Sequence, residues 1–324
     1  MRCTNRLICI LSICALFLSG CGFGSTSMEK EYDAYSYQNS FVNKEHSVYA
    51  DYFAEDLCVT NTINFGLEGT YADVAKGGGV FNISTNEVLY SQNIFDKLYP
   101  ASTTKILTAY IIIRDCDMGS VVTVSESAVK QADDSSTCGL KAGDNITVEG
   151  LLYGLMLHSG NDAAEALAEF HSGTVENFAI EMTKTAHELG ATKSQFKNPS
   201  GLPDKEHYTT VYDMYLIFNE AIHQDKFIEI ISAASKNVVY TAANGATVEK
   251  TFRNSSRYRT GAVDTPTGFE IIGGKTGTTY DAGYCLVLYS KNPSGQDIIS
   301  IVFKADGPHN LYLLMNQILN KYAK

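Results

Sequence analysis

Three short sequence patterns combine residue types that can carry out nucleophilic catalysis. In chain order they are Ser102-x-x-Lys105, Ser159-Gly160-Asn161 and Lys275-Thr276-Gly277. A serine hydroxyl becomes a nucleophile when a neighbouring base takes its proton, and a neutral lysine amine can be that base. Each pattern also has a structural interpretation, since a serine can cap a helix and a lysine can be a solvated surface charge.

The spacing of the first pattern suits a serine–lysine pair. Residues i and i+3 share one face of a helix, so Lys105 can lie beside the hydroxyl of Ser102. Residues 103–114 are apolar on nearly all sides, which predicts a buried helix in which a solvated lysine is hard to place. Burial and a second cation, for which Lys275 is the candidate, would lower the pKa of the amine. Backbone N–H groups at the helix N-terminus could stabilise an oxyanion.

The remaining elements must hold these patterns together. Strands are predicted over residues 78–83, 87–90, 238–241, 247–253, 268–275, 283–290 and 297–304. Helices are predicted over residues 148–158, 163–171, 175–189, 210–223 and 226–233. The order predicts an α+β fold, in which one antiparallel sheet is flanked by helices and interrupted by an inserted helical subdomain. A last helix carries Leu311, Leu314 and Ile318 on one face, which favours core packing over a membrane-surface helix.

The first residues have the composition of a targeting segment. Residues 1–20 combine a short cationic start with an apolar stretch too short to span a membrane, which predicts a signal peptide. The sequence Leu18-Ser19-Gly20-Cys21 resembles the bacterial lipoprotein signal, so Cys21 is the predicted lipidation site. An ordinary secretory signal with an incidental cysteine is the alternative. We expect residues 21–57 to be the lipidated cysteine and a flexible tether, and residues 58–324 to be one catalytic domain.

Composition excludes several classes of function. The 324 residues are 44% hydrophobic and 19% charged, with a formal net charge of −11. An acidic balance of this size argues against nucleic-acid binding, which needs a basic surface. Four cysteines fall within residues 58–324 without a C-x-x-C spacing, so no metal or redox site is predicted and no cofactor is expected. Those cysteines, Cys58, Cys116, Cys138 and Cys285, could form disulfides in three connectivities or remain free thiols.

The three patterns in this order resemble the serine-type D-alanyl-D-alanine carboxypeptidases, the low-molecular-mass penicillin-binding proteins of the β-lactamase/transpeptidase-like superfamily. The resemblance runs from about Gly78 to Lys304 and includes residues 99–105, 140–144, 156–164, 182–213 and 274–286. It implies a fold in which an antiparallel sheet is flanked by helices, with a cleft between the sheet and a helical subdomain. It also implies peptidoglycan stem peptides ending in D-Ala-D-Ala as substrate and β-lactams as covalent inhibitors.

The resemblance assigns three catalytic roles. Ser102 would be the acylated nucleophile and Lys105 its general base. Ser159 would relay a proton to the amine of the leaving D-alanine. The protein would therefore work outside the cytoplasm, on the outer face of the bacterial cytoplasmic membrane and anchored there by its lipid.

Substrate-binding roles are implied in the same way. Asn161 would orient Lys105 and the substrate amide, while Lys275 and Thr276, followed by Gly277, would bind the terminal carboxylate. Backbone N–H groups of Ser102 and Thr278 would form the oxyanion hole. Some relatives have an arginine near the carboxylate site, and its approximate match in this chain is Asp297.

Three other functions compete with this interpretation. A class A β-lactamase needs an E-x-x-L-N segment between the second and third patterns, and this chain has none there. A zinc peptidase needs clustered ligands, whereas the seven histidines are scattered. A non-catalytic penicillin-binding or wall-binding lipoprotein could lose Ser102 or Lys105, and both are present. The balance of carboxypeptidase, endopeptidase and transpeptidase activity, the third residue of the stem peptide, the oligomeric state and the physiological role stay open.

Overall fold

A five-stranded antiparallel sheet lies at the centre of the computed structural model, which describes Ala54 and residues 56–133 and 135–324. Its strands are β1 (Gly77–Asn82), β2 (Glu87–Gln92), β7 (Glu270–Thr279), β8 (Gly283–Lys291) and β9 (Asp297–Ala305), in the order β2-β1-β9-β8-β7. Most residues of β1 and β9 are buried because apolar side chains pack against both faces of the sheet. This places β7 at an edge, where one side of the strand is free to face a ligand.

A helical subdomain packs against one face of the sheet. It contains α1 (Lys105–Asp115), α2 (Val148–Leu157), α3 (Asn161–Ser172), α4 (Val175–Glu188), α5 (Val211–Ala221) and α6 (Asp225–Ser232). Helix α1 packs against α2, α3, α4, α5 and α6, and its first eight residues are buried. This burial follows from its nearly continuous apolar sequence, as predicted. Lys105, at its first position, is thereby removed from water.

The last helix, α7 (Pro308–Tyr322), covers the other face of the sheet. Leu311, Leu314, Met315, Ile318 and Leu319 are buried against β8 and β9. Core packing of this helix is therefore confirmed. Among the described residues, no helix is long and apolar enough to cross a membrane.

The prediction of a single sheet was wrong. Strands β5 (Ser235–Thr241) and β6 (Thr247–Arg253) pair with two short strands, β3 (Val121–Thr123) and β4 (Asn145–Thr147), in a separate four-stranded antiparallel sheet. Most residues of β5 and β6 are at least partly exposed, whereas the central strands are buried on both faces. The α+β fold class, with helices flanking an antiparallel sheet and a helical subdomain inserted in it, is confirmed.

The cysteines of the described residues are all free thiols. Cys58 is buried near the start of the described chain, and its backbone N–H donates a hydrogen bond of 2.9 Å to the Tyr215 hydroxyl. Of the alternatives left open by the sequence, free thiols are therefore the correct one for these four positions. The signal peptide predicted over residues 1–20, the lipidation site Cys21 and most of the tether lie outside the described residues.

Candidate active site

Ser102 lies in a 3-10 turn, Ala101–Thr104, that leads directly into α1. The turn begins with Ala101 at a φ of 47°, a left-handed conformation that is uncommon for alanine. Strand β7 passes close beside the turn at Gly277. A Cβ atom at this position would come within 2.8 Å of the Ser102 nitrogen and 3.0 Å of the Pro100 oxygen. Only glycine therefore lets the strand lie this close to the nucleophile.

Lys105 is completely buried, and its Nζ atom has three hydrogen-bond partners. Nζ lies 3.0 Å from Ser102 Oγ, 2.7 Å from Asn161 Oδ1 and 2.8 Å from the backbone oxygen of Ser200. The amide oxygen and the backbone carbonyl can only accept hydrogen bonds, whereas the serine hydroxyl can also donate one. A neutral amine has two N–H groups and one lone pair. If its two N–H groups bond to Asn161 and Ser200, its lone pair faces the Ser102 hydroxyl.

The surroundings of Lys105 favour this neutral amine. Burial lowers the pKa of Lys105 well below its usual value, and the nearby positive charge of Lys275 lowers it further. Burial has the larger effect on the pKa of Lys105, because the apolar core excludes water from all sides of the amine. The sequence predicted that burial and a neighbouring Lys275 would lower the pKa of Lys105, and both causes are found in the folded chain.

Ser159 and Asn161 lie at the break between α2 and α3. Ser159 has a φ of 63° in the left-handed region, and the N–H of the next residue, Gly160, donates to the oxygen of Gly154. The side chain of Asp162 fixes this corner by accepting hydrogen bonds from the backbone of Cys138 and Leu140. The tight corner brings the Ser159 hydroxyl and the Asn161 amide to the same side as Lys105. A strained conformation of this kind is characteristic of functional positions.

Lys275 connects strand β7 to this corner. Its Nζ atom donates hydrogen bonds of 3.0 Å to Ser159 Oγ and 2.9 Å to the oxygen of Thr276. The side chain is buried, and burial lowers its pKa to about 7. The sequence predicts that the strand ends at Lys275, but β7 continues to Thr279, so Lys275 lies within the strand. The Thr276 hydroxyl lies 3.0 Å from Ser255 Oγ, a contact that the sequence did not indicate.

A cleft of about 410 Å³ opens in front of these groups. Ser102, Asn161, Ser200 and Thr278 line it. The structure therefore brings all the predicted site residues together: the Ser102–Lys105 pair, the Ser159–Asn161 corner and the β7 segment 275–278. The sheet and the helical subdomain meet at this point, in agreement with a cleft between the sheet and the helices.

One segment of the site was not assigned a role from the sequence. Residues 198–202 form a loop in which Asn198 Oδ1 accepts hydrogen bonds from the N–H groups of Ser200, Gly201 and Leu202. This loop presents the Ser200 oxygen to Lys105. Gly201 has a φ of 87°, and a Cβ there would overlap the carbonyl of Ala101. In the sequence, the glycine after Asn198-Pro199-Ser200 could have pointed to this loop, because a glycine in a turn often marks a place where two backbone segments lie in contact.

His207 supports the turn that contains Ser102. Its Nδ1 accepts a hydrogen bond of 3.2 Å from the N–H of Lys197, so Nε2 carries the proton and donates to Thr104 Oγ1 at 2.8 Å. Burial lowers the pKa of His207 to about 4, which keeps the ring neutral. The sequence indicated no specific role for His207, which comes to lie behind the turn only in the folded chain.

The match of Asp297 to an arginine near the carboxylate site was wrong. Asp297 begins β9 and lies opposite Lys291 at the far end of β8, where Lys291 Nζ and the Tyr289 hydroxyl both bond to its Oδ1 at 2.7 Å. Lys291 in turn lies opposite Glu270, the first residue of β7. Strand register therefore separates Asp297 from Lys275 by several residues along the sheet. Strand register cannot be read from the sequence match, so the match alone could not show that Asp297 lies far from Lys275.

The arrangement can carry out acyl transfer. It contains a hydroxyl beside a buried amine of lowered pKa, a second hydroxyl bonded to a second lysine, and an open strand edge next to the nucleophile. These are the parts required to accept a proton from the nucleophile, return one to a leaving group and hold an extended substrate. No cluster of residues that could hold a metal ion occurs in the part of the chain that the structure describes.

Comparison with known proteins gives consistent matches. The sequence model of the D-alanyl-D-alanine carboxypeptidase family matches residues 75–307. The chain is similar to D-alanyl-D-alanine carboxypeptidase DacF of Bacillus subtilis, with 33% identity over 246 residues that cover 73% of this chain and 59% of DacF. It is also similar to DacC of Escherichia coli, with 32% identity over 71% of this chain and 56% of DacC. The chain thus spans little more than half the length of these relatives.

Shorter relatives match over more of their length. The D-alanyl-D-alanine carboxypeptidase of Streptomyces sp. strain K15 is 32% identical over 70% of this chain and 80% of its own. The crystal structure of the Streptomyces K15 DD-transpeptidase matches the fold with a TM-score of 0.69 and 27% identity, covering 76% of this chain and 97% of that one. The resemblance identified from the three patterns is confirmed by these matches.

Proposed function

Because the chain belongs to the D-alanyl-D-alanine carboxypeptidase family, we propose that it is a serine peptidase that removes the terminal D-alanine from peptidoglycan stem peptides. The reaction passes through an acyl-enzyme, and penicillins acylate the same serine. The observation that carries the proposal is the contact between Lys105 Nζ and Ser102 Oγ at 3.0 Å, within a buried site that favours the neutral amine.

Substrate binding uses the edge of β7. The terminal carboxylate of the peptide lies against the ammonium of Lys275 and the hydroxyl of Thr276, which charge and hydrogen-bonding capacity both favour. Asn161 orients the substrate amide as well as Lys105. Gly277 lets β7 pack directly against the turn that carries Ser102, so the strand edge that binds the peptide lies next to the serine hydroxyl.

Acylation begins when the lone pair of Lys105 takes the proton of the Ser102 hydroxyl. The serine oxygen forms a bond to the scissile carbonyl carbon, and the backbone N–H groups of Ser102 and Thr278 stabilise the oxyanion that results. The C–N bond then breaks. Ser159, bonded to Lys275, gives its proton to the departing D-alanine amine and regains one from Lys275. The proton that Lys105 took from Ser102 passes to Lys275 in turn, so Lys105 is again a neutral amine. The products of this half-reaction are D-alanine and an ester on Ser102.

Deacylation uses the same groups in the opposite direction. Lys105 takes a proton from a water molecule, the water oxygen forms a bond to the ester carbonyl and the ester C–O bond breaks. The proton returns to Ser102, which restores the free hydroxyl. A β-lactam follows the first half-reaction, since its strained amide takes the place of the D-Ala-D-Ala bond and its leaving amine stays attached to the acyl group.

The alternative functions receive no support from the site. A class A β-lactamase requires a glutamate-activated water, and no E-x-x-L-N segment stands between Asn161 and Lys275. A non-catalytic penicillin-binding or wall-binding lipoprotein has no need for a buried lysine held on the nucleophile by two acceptors. The position of Lys105 therefore favours the enzyme.

The location of the protein completes the proposal. Residues 1–20 form a signal peptide that is removed, lipid is attached to Cys21, and residues 21–57 link the anchor to a catalytic domain of residues 58–324. The protein then works on the outer face of the bacterial cytoplasmic membrane, facing the cell wall. Two or more acyl chains give a stable anchor where one gives a marginal one, so a lipoprotein anchor is sufficient for this location.

The proposal is tested by incubating the purified protein with a peptide ending in D-Ala-D-Ala and measuring released D-alanine. A peptide ending in D-Ala-L-Ala is the matched control substrate, and Ser102→Ala is the matched control enzyme. We expect D-alanine only from the first peptide and only with the unchanged serine. Absence of release by a folded protein that still binds penicillin would favour the non-catalytic alternative.

A further inference from the structure

Two buried threonines of the segment that carries the nucleophile face the loop of residues 198–202. Thr104 and Thr108 are four residues apart, so they lie on one side of the helical segment, and both are completely buried. Thr108 Oγ1 donates a hydrogen bond of 2.7 Å to the oxygen of Pro199, within the loop. Thr104 Oγ1 instead bonds to the ring of His207. The loop is therefore attached to α1 directly at Thr108 and through an imidazole ring at Thr104.

The ring of His207 is held at both of its nitrogen atoms. Nε2 lies 2.8 Å from Thr104 Oγ1, and Nδ1 lies 3.2 Å from the backbone nitrogen of Lys197, which leads into the loop. The side chain is only 2% exposed, and the ring of Phe196 packs edge-on against it with 5.4 Å between the centroids. The ring therefore cannot move towards or away from the turn without breaking a hydrogen bond.

The position of the loop matters to Lys105 because the loop supplies one of its hydrogen-bond acceptors. The oxygen of Ser200 accepts a hydrogen bond of 2.8 Å from Lys105 Nζ. Asn198 Oδ1 sets the shape of the loop by accepting hydrogen bonds from its N–H groups, but these bonds lie within the loop and do not fix its distance from α1. A displaced loop would remove the acceptor, and the lone pair of Lys105 would no longer be held towards the Ser102 hydroxyl.

We propose that His207 is a positioning residue for the acylation of Ser102. Its neutral ring joins the turn that carries the serine to the loop 198–202, and so orients the Lys105 amine towards the serine hydroxyl. The inference rests on the proposed function, because it concerns the rate of that reaction. His207 does not line the cleft, so it acts through Thr104 and the loop rather than on the substrate.

Only one tautomer of His207 can form this bridge. The N–H of Lys197 needs an acceptor at Nδ1, so the single ring proton must be on Nε2, where it points to Thr104. A ring protonated on both nitrogens would place an N–H at Nδ1 against the N–H of Lys197 and lose that hydrogen bond. The bridge therefore requires an acceptor on one side of the side chain and a donor on the other.

Two substitutions of His207 each keep one of the two hydrogen bonds. The amide oxygen of His207→Asn can take the place of Nδ1 and accept from Lys197, whereas the amide N–H of His207→Gln can take the place of Nε2 and donate to Thr104. Because the bridge needs both bonds, each variant should lower the rate constant for acylation by saturating benzylpenicillin by about tenfold to a hundredfold. The dissociation constant of the noncovalent penicillin complex should stay unchanged, since the ring does not line the cleft.

Variants of Thr104 test whether His207 acts through this turn. Thr104→Val keeps the shape of the side chain but removes the hydroxyl, so it should slow acylation as His207→Asn does. Thr104→Ser keeps the hydroxyl and should acylate at close to the wild-type rate. Both slow variants lose the same hydrogen bond, so the double variant His207→Asn/Thr104→Val should be no slower than the slower single variant.

His187→Gln is the matched control for a histidine change. His187 Nε2 bonds to the backbone oxygen of Ser194 at 3.0 Å, on the side of α4, so its loss affects a hydrogen bond of the same kind outside the bridge. This variant should acylate as the wild type does. Urea unfolding of each variant gives the folded fraction, to which the acylation rate is referred. Thr104→Val and Thr104→Ser provide the same test if a His207 variant does not fold.

The outcomes separate the positioning role from the proposed function. Wild-type acylation rate constants in the folded His207 and Thr104→Val variants would overturn the role of His207 while leaving the peptidase in place. A double variant slowed by the product of the two single effects, or a dissociation constant that changes as much as the rate constant, would also overturn it. Failure of penicillin to acylate Ser102 in the wild type would overturn the proposed function and the positioning role together.

Discussion

Gly277 lies so close to Ser102 that a Cβ atom at the glycine would come within 2.8 Å of the serine nitrogen. The neighbouring Pro100 oxygen and Thr103 nitrogen would each be 3.0 Å away. All three atoms belong to the backbone, which cannot rotate aside as a side chain can. The glycine of Lys275-Thr276-Gly277 is therefore what allows β7 and Ser102 to lie at one cleft.

Gly277→Ala should lower the rate at which penicillin acylates Ser102 by about a hundredfold and leave the fold intact. The added methyl group moves β7 away from the turn Ala101–Thr104, and a displacement of about 1 Å is sufficient to lower the rate by about a hundredfold. The measurements are the acylation rate and the circular dichroism spectrum. Gly295→Ala is the control for a glycine change, because its Cβ would meet nothing within 4 Å. Near-normal acylation by Gly277→Ala would contradict the steric argument.

Replacing Lys105 or Lys275 singly by arginine should slow the acylation of Ser102 to different extents. Guanidinium stays protonated, so Lys105→Arg cannot accept the proton of Ser102 and acylation should fall by about two to four orders of magnitude. Lys275→Arg keeps a cation for the substrate carboxylate and should be milder. Acylation at normal speed by Lys105→Arg would move the base to another residue, with Lys275 acting through Ser159 as the next candidate.

The pH profile of kcat/KM should separate the same two lysines. Burial lowers the pKa of Lys275 to about 7, so the ammonium that we propose binds the carboxylate is present below this pH and is lost as the pH rises through it. The neutral amine of Lys105 gives the opposite dependence, because acylation rises as the pH passes its lowered pKa. Lys275→Arg should therefore remove the falling limb near pH 7. A falling limb unchanged in that variant would show that it has another origin.

Much of the site was predictable because its chemistry lies within short segments. Ser102 and Lys105 are one helical turn apart, and the apolar sequence of α1 was enough to predict that the lysine is buried. The roles of Ser200 and His207 depend on long-range packing, since the loop 198–202 meets α1 only in the folded chain. The second sheet was missed for a different reason. Its strands β3 and β4 have three residues each, too few for a periodic pattern to stand out.

His207 should make the stability of the protein fall at acidic pH. Its folded-state pKa of about 4 lies below the usual 6.5, so the unfolded chain binds more protons between these values. The stabilisation is complete above pH 6.5 and is lost as the pH falls to 4, by up to about 3 kcal/mol. Urea unfolding at pH 7 and pH 4.5 measures it. His207→Gln should show a smaller loss between the two pH values, and an equal loss would contradict the assignment.

Cys21 should determine membrane association. Wild-type protein expressed with its N-terminal segment should partition into the detergent phase, whereas Cys21→Ser should be soluble or be cleaved at another position. Cys58→Ser is a matched cysteine change within the folded domain and should partition as wild type does. Equal membrane association of the wild type and Cys21→Ser would reject the lipoprotein anchor.

The identity of the nucleophile is the centre of the account, and intact-mass spectrometry after incubation with benzylpenicillin tests it most directly. The fold places Ser102 Oγ 3.0 Å from the Lys105 amine, whereas Ser159 is bonded to Lys275 instead. We predict one added penicillin per chain, located by peptide mapping on Ser102 and absent from Ser102→Ala. An adduct that persists in Ser102→Ala, or that maps to Ser159, would contradict the assignment.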